Sequence, residues 1–482
     1  MDTPLPKPSR VKKIARRAVF VLALLVTLGA LWLAEENWRG RRAWHNYKSA
    51  MEAKGERFDG ARLIPPKVPD DENFAACPYL NDVFEKPPES PGWTNNIGDC
   101  LTKYPTLPQR AGWPYGSSAD LANWAANFES GAASGKLDPA QAAAVILDHL
   151  KAAEPVLAEL RAASRRRYCR FNVPYEGWES TNSRAPLVML QHLAVFKGLC
   201  RVLTLHAEAE MAAGRSDQAL DDINVMFRLD DGLKDEPLLI SHLVRYASTA
   251  IRLQPIAEGL AERRWSDAQL RSLQERLGRI DMLAGAVRAL YGERDLIMNP
   301  FFTSGIMKLL GWGRLEQINC NQAFQEVLLP RINLAGREVN PSVGHACDLI
   351  LSNYTQGGRV TRFIHHRIMA AMFMPGVGPA FRLAAAAQTD VDLLTVACAL
   401  ERYRLAEGVY PGQLAALSPR FITTLPHDII NGQPLKYRLT PGGKFVLYSV
   451  GWNEKDDGGV TATNQYGNPD RLQGDWVLEY PD

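Results

Sequence analysis

Seventeen consecutive uncharged residues, AVFVLALLVTLGALWLA from Ala18 to Ala34, constrain this chain more than any other feature. A helix of that make-up has no polar stripe to turn toward water, so a lipid bilayer is its expected surrounding, and its length sits at the short end of what spans one. A cleaved signal sequence needs small residues at −3 and −1 of the cut. Cleavage after Ala34 places Trp32 at −3, so the segment reads as an uncleaved anchor. Trp32 and Trp38 fall near one interface, where an indole fits both apolar and wet surroundings.

Lys7, Arg10, Lys12, Lys13, Arg16 and Arg17 precede the run, and Arg39, Arg41, Arg42, Lys48 and Lys54 follow it. The leading segment is short and has no acid after Asp2, so it is expected to stay inside. Residues 1–17 then form a cytoplasmic basic tail, 18–34 a transmembrane anchor that meets lipid, and the bulk lies on the far side. With 46% hydrophobic and 22% charged residues over 482 positions, that bulk is ordinary folded protein. A net charge of +2 offers no global attraction to nucleic acid, and none is expected as a partner. The seven cysteines are an odd number, so at least one is unpaired within a monomer.

Glu36 to Arg57 reads as a charged stalk, and ten prolines between 65 and 114 argue against long regular elements there. Together, 35–137 are expected to be stalk and irregular Pro- and aromatic-rich chain, packed through Phe74, Tyr79, Phe84, Trp93, Tyr104 and Trp113. From 138 to 387 the pattern is helical. Met189, Leu193, Phe196, Cys200, Leu203 and Ala207 recur at helical spacing up to Gly214, and Ser216-Asp217 has the form of a new N-cap. This pair superficially resembles one tetratricopeptide unit, without a repeat array. Ser266-Asp267-Ala268-Gln269 has the capping-box form. It leads into a seam of Leu270, Leu273, Leu277, Ile280, Ala284, Val287 and Tyr291, read as intramolecular helix packing rather than a dimer seam. Pro375, Gly376, Gly378 and Pro379 interrupt the apolar stretch 363–387, which reads as a bent core segment.

In the remaining 388–482, Leu393, Val396, Leu400 and Tyr403 share a helix face that ends near Gly408. Leu435 to Leu439 and Lys444 to Val450 are strand-like and joined by Thr440-Pro441-Gly442-Gly443, a hairpin signature. Leu400-Glu401-Arg402-Tyr403, Tyr410-Pro411, Leu425-Pro426 with Asp428, Asn431-Gly432, Tyr437 and Leu447-Tyr448-Ser449-Val450-Gly451 follow in an order that resembles the globular head of the major pseudopilins of type II secretion systems. The whole chain also looks like large anchored proteins of planctomycete and verrucomicrobial type. The resemblance implies an α+β module, a bacterial inner-membrane setting with the bulk periplasmic, and a calcium site in the loop after the Tyr-Ser strand. By that correspondence the metal ligands are Asn453, Asp456, Asp457 and Asp475, and Ca²⁺ accepts such irregular sets of hard oxygens. The preceding helix carries Gln388, Asp390, Asp392, Glu401 and Arg402, and the anchor lies far upstream, so the family's filament assembly is not expected to carry over.

The expected fold is therefore mainly α, built of packed helical hairpins, with a C-terminal α+β pseudopilin-like module and one N-terminal transmembrane helix. No HExxH, GxSxG, GxxxxGK[ST] or HxE…CxxC occurs. The pair His365-His366 points two ways on a helix, His345 with Cys347 lacks a third ligand, and Arg165-Arg166-Arg167 with Arg170 forms a basic cluster. The leading functional expectation is a membrane-anchored extracytoplasmic binding or scaffolding protein with an envelope protein partner, linked to a secretion or pilus-like apparatus; oligomerisation stays open. The alternative is a periplasmic hydrolase acting on envelope or imported polymer, with Trp93, Tyr104, Trp113 and Tyr175 stacking on a sugar.

Overall fold

A computed structural model of the chain describes residues 10–85, 120–128, 137–175, 190–303, 307, 312–355, 358, 361–362, 365–373, 377–465 and 469–479. It is mainly helical with a small C-terminal sheet. The apolar run lies within one helix, α1 (Arg10–Glu52), long and apolar enough to cross a membrane. Residues 13–32 are exposed along the whole helix surface. Beyond them α1 packs on the helix that carries Trp312, and Glu36 and Gly40 are buried there.

The stalk does not hang free. After Gly55, whose φ of +94° suits a residue without Cβ, the chain folds back onto the body. Arg294 ties the two together: it donates to Glu56 (3.0 Å), to the Arg57 carbonyl (2.6 Å) and to Asp295 (2.8 Å), and it lies over the Phe58 and Tyr291 rings. This arginine sits in a π-helical turn, Glu293–Met298, the wider winding that lets consecutive charged residues face inward.

The body is built around α2 (Gln191–Ala212), α3 (Ser216–Leu233), α4 (Leu239–Ala247), α5 (Thr249–Ala261), α6 (Asp267–Leu277), α7 (Met282–Gly292), α8 (Trp312–Ala323) and α9 (Gly378–Glu407). The α2–α3 hairpin turns at Gly214 (φ +78°), as its spacing predicts. Ser216 does not cap α3, however. Its hydroxyl and the Asp217 carboxylate instead accept from the Gln269 amide (3.2 and 2.7 Å), which locks α3 to α6. Ser266 and Gln269 form the expected capping box. The seam expected to run on through Tyr291 ends at Leu277. Asp281 caps a new helix there, which buries Met282, Leu283, Ala286 and Leu290 and leaves Ala284 exposed.

Helix α9 organises the rest. Its most apolar window is 94% buried, so it is a core helix although it is apolar enough to span a bilayer. Pro379 stands in its first turn, where a missing N–H costs nothing, and therefore starts the helix instead of bending it. The boundary expected after 387 falls inside α9. The helix packs on α4, α5, α6 and α7 and also meets two strands of the sheet. The strands are β1 (Lys436–Leu439), β2 (Phe445–Ser449), β3 (Thr461–Thr463), β4 (Pro469–Gly474) and β5 (Trp476–Glu479). They form an antiparallel β1-β2-β5 sheet and a β3-β4 pair, the first hairpin turning at 440–443 as expected. One continuous apolar core runs from Phe74 through the helices to Leu478.

Candidate functional site

A cleft of about 970 Å³ opens where α6 and the 278–281 turn meet α9 and the 419–427 loop. It therefore joins the helical body to the C-terminal module. Arg402 of α9 fixes its floor: it pairs with Asp267 (2.9 Å) and donates to Gln274 (3.1 Å) and to the Phe421 carbonyl (3.0 Å). Gln274 donates to that same carbonyl (2.9 Å), so the loop is held from both helices.

On the inner wall stands Asp392. It accepts from Arg337 (2.7 Å) and Gln388 (3.0 Å) through one oxygen, while Oδ2 is buried without a partner among the described residues. Burial pushes its carboxyl above the usual range, against the lowering pull of Arg337. Gln388 also accepts from the Met282 N–H (2.7 Å), so the wall is continuous with the start of α7. His427 donates through Nε2–H to the Arg337 carbonyl (3.2 Å), on the Asp392 side of the cleft. Arg271, Arg279, Arg337, Arg402 and Arg420 line this space against Glu275, Asp281 and Asp392, an excess of positive charge. Such a cationic cleft with one carboxyl held above its ordinary range can recognise acidic groups and, when that carboxyl is protonated, donate a hydrogen bond to them. Sequence reasoning singled out the polar residues of α9 only as departures from a pseudopilin helix. They were the available signal.

The four expected calcium ligands come close to one another but are satisfied by the protein itself. Asn453 donates to Asp457 (2.8 Å); Asp475 accepts from the backbone N–H groups of Asp457 (3.2 Å) and Gly459 (2.6 Å). Asp456 turns toward Lys436 (3.2 Å) and the Tyr448 hydroxyl (3.0 Å). Burial raises the Asp475 carboxyl, and Asp456 is lowered chiefly by the Gly458 N–H. Among the described residues no group of three or more His, Cys, Asp or Glu is arranged to hold a metal ion.

His366 packs against the root of α1, beside Glu36 (3.7 Å) and the Trp312 ring. His345 is exposed while Cys347 is buried, so the two point apart. Tyr175 is buried beneath Arg170, only 4% exposed. Trp93, Tyr104 and Trp113 lie outside the described residues. The six described cysteines, Cys77, Cys169, Cys200, Cys320, Cys347 and Cys398, are all free thiols. No family model matches the sequence, no curated protein matches it and no solved structure matches its fold.

Proposed function

We propose that this chain is a single-pass, bacterial inner-membrane binding or scaffolding protein, N-terminus cytoplasmic and bulk periplasmic, serving a secretion or pilus-like apparatus. The observation that carries the reading is the bare apolar surface of α1 ahead of a body with one closed core. Water does not tolerate such a sleeve, and lipid does. The partner is a protein that offers an acidic segment to the cleft between the helical body and the pseudopilin-like module. Carbonate extraction and reporter fusions behind Asp482 test the placement: a chain that washes off membranes, or a reporter active only in the cytosol, ends this reading.

Calcium enters the proposal as an ordering ligand of the loop from Asn453 to Asp475. Binding has to draw Asp475 away from two backbone N–H groups, so the gain is small. Millimolar calcium is expected to raise the thermal midpoint of the full chain by about 1 °C, for roughly 1 kcal/mol of binding linkage. EGTA reverses the rise and Asp475→Asn removes it; a midpoint indifferent to both strikes calcium from the proposal.

The hydrolase alternative draws on one feature, the buried Asp392 carboxyl in the same cleft, since raised carboxyls in clefts favour proton donors. Asp392→Asn abolishes turnover of an envelope polymer under that reading and leaves partner capture impaired but present under the first.

A further inference from the structure

A second cavity, about 390 Å³, lies where the end of the Glu154–Ala163 helix meets α3 and α6. Six arginines line it: Arg161, Arg165, Arg166, Arg167, Arg228 and Arg276. Asp221 is the one carboxylate among the described lining residues. Several of these guanidinium groups have work elsewhere. Arg161 is held by Asp222 (2.6 Å) and Glu154 (2.6 Å), and Arg228 and Arg276 share Asp231 (3.1 and 3.3 Å), which Lys234 also approaches (3.0 Å). Arg166 donates to the Asn73 carbonyl (2.9 Å).

Arg165 and Arg167 meet no carboxylate among the described residues; Arg167 lies over the Tyr168 ring. Moreover, the Arg228 Nε–H is buried with no acceptor among the described residues. Positive charges gathered on a partly dry wall repel one another, and an unsatisfied buried donor is costly, so the cavity is short of an anion.

We propose that this cavity binds a phosphate group. Guanidinium forks converging from three elements suit a tetrahedral oxyanion, which offers several acceptor oxygens at once, better than a planar carboxylate. The space exceeds what a lone phosphate needs. An adjoining cavity of about 220 Å³ shares Arg167 and Arg228 and adds Tyr168, Phe171 and Tyr175, room for the organic part of a phosphate ester. Such an ester comes either from solution or from a lipid headgroup.

The test titrates inorganic phosphate into the full chain in dodecyl maltoside micelles by calorimetry, at constant ionic strength. Saturable one-to-one binding is expected, weakened about tenfold or more in Arg165→Ala/Arg167→Ala, two exposed positions whose loss leaves the dichroism melt unchanged. Arg165→Lys/Arg167→Lys recovers part of the affinity, because lysine keeps the charge but not the fork. Arg438→Ala, an exposed arginine remote from the cavity lining, leaves it intact. Doping the micelles with dioleoyl phosphatidylglycerol assigns the source: reduced phosphate affinity marks a headgroup site, unchanged affinity a soluble ester. The site is overturned if phosphate does not bind saturably, if the double alanine variant binds like the parent, or if Arg438→Ala weakens binding equally.

Discussion

Buried ions in this body are arranged around single carboxylates. Asp230 accepts both forks of Arg245 (2.9 and 2.8 Å) and lies 2.8 Å from an Arg252 nitrogen, and burial counts against its charge while the two arginines hold the carboxyl down at about 2. Removing the shared anion leaves two guanidinium ions in the core without a counter-charge. Asp230→Asn is therefore expected to cost about 3–5 kcal/mol in urea unfolding. His242 lies beside this group, donating through Nε2–H to the Glu236 carbonyl (2.9 Å), and burial with the nearby Arg245 pushes it down to about 3. Its folded pKa is depressed, so as pH falls the unfolded chain takes up the proton first. The contribution is intact above the unfolded value near 6.5 and is lost progressively toward 3. The stability gap between the parent and His242→Gln is expected to narrow by about 2 kcal/mol between pH 7 and pH 5, as read from paired denaturation curves. Comparing the two proteins cancels groups that titrate alike in both, such as Glu316, which burial raises to about 7.

At the scale of elements, α9 shows what periodicity conveys and what it omits. The face of Leu393, Val396 and Leu400 was legible in the sequence, and so was the stop at Gly408, whose φ is +82°. The other faces were not. A helix wrapped on every side by helices and sheet can carry charges on any face provided each finds a partner, as Asp390 does with Arg471 (3.0 Å) and Glu401 with Arg404 (2.6 Å) and the Tyr410 hydroxyl (2.7 Å). Leu400→Ala, at a fully buried position, is expected to lose about 2–5 kcal/mol, whereas Leu405→Ala, 45% exposed, stays within about 0.5 kcal/mol. For the same reason a chain stopped at residue 388 loses its central helix and is expected not to fold. The α6–α7 seam failed at Ile280 because Asp281, a strong N-cap residue, restarted the helix and rotated its buried face.

Over the whole molecule, the apolar sleeve and the body are joined through Arg294, which lies over Phe58 of the Trp44–Tyr47–Phe58 ring cluster. Leu22→Arg together with Leu25→Arg is expected to release the chain into the carbonate supernatant, since each charge near the middle of a span costs about 2.5–3.5 kcal/mol on insertion. Because both residues are bare, the melting of the body is expected to be unchanged. Survival of this double variant in the membrane pellet would count against α1 as the anchor.

Local chemistry was sufficient for the apolar run, the Gly214 and Gly408 stops, the capping box at Ser266 and the 436–449 hairpin, because each depends on residues close in sequence. Neither the cleft beside Asp392 nor the arginine cavity could be read that way. Asp392 meets Arg337, and Arg276 and Arg228 meet the 164–167 turn, across separations that only tertiary packing closes. Charge that looks like solvated surface along the chain becomes a site when burial removes its water and leaves it fewer partners than it needs.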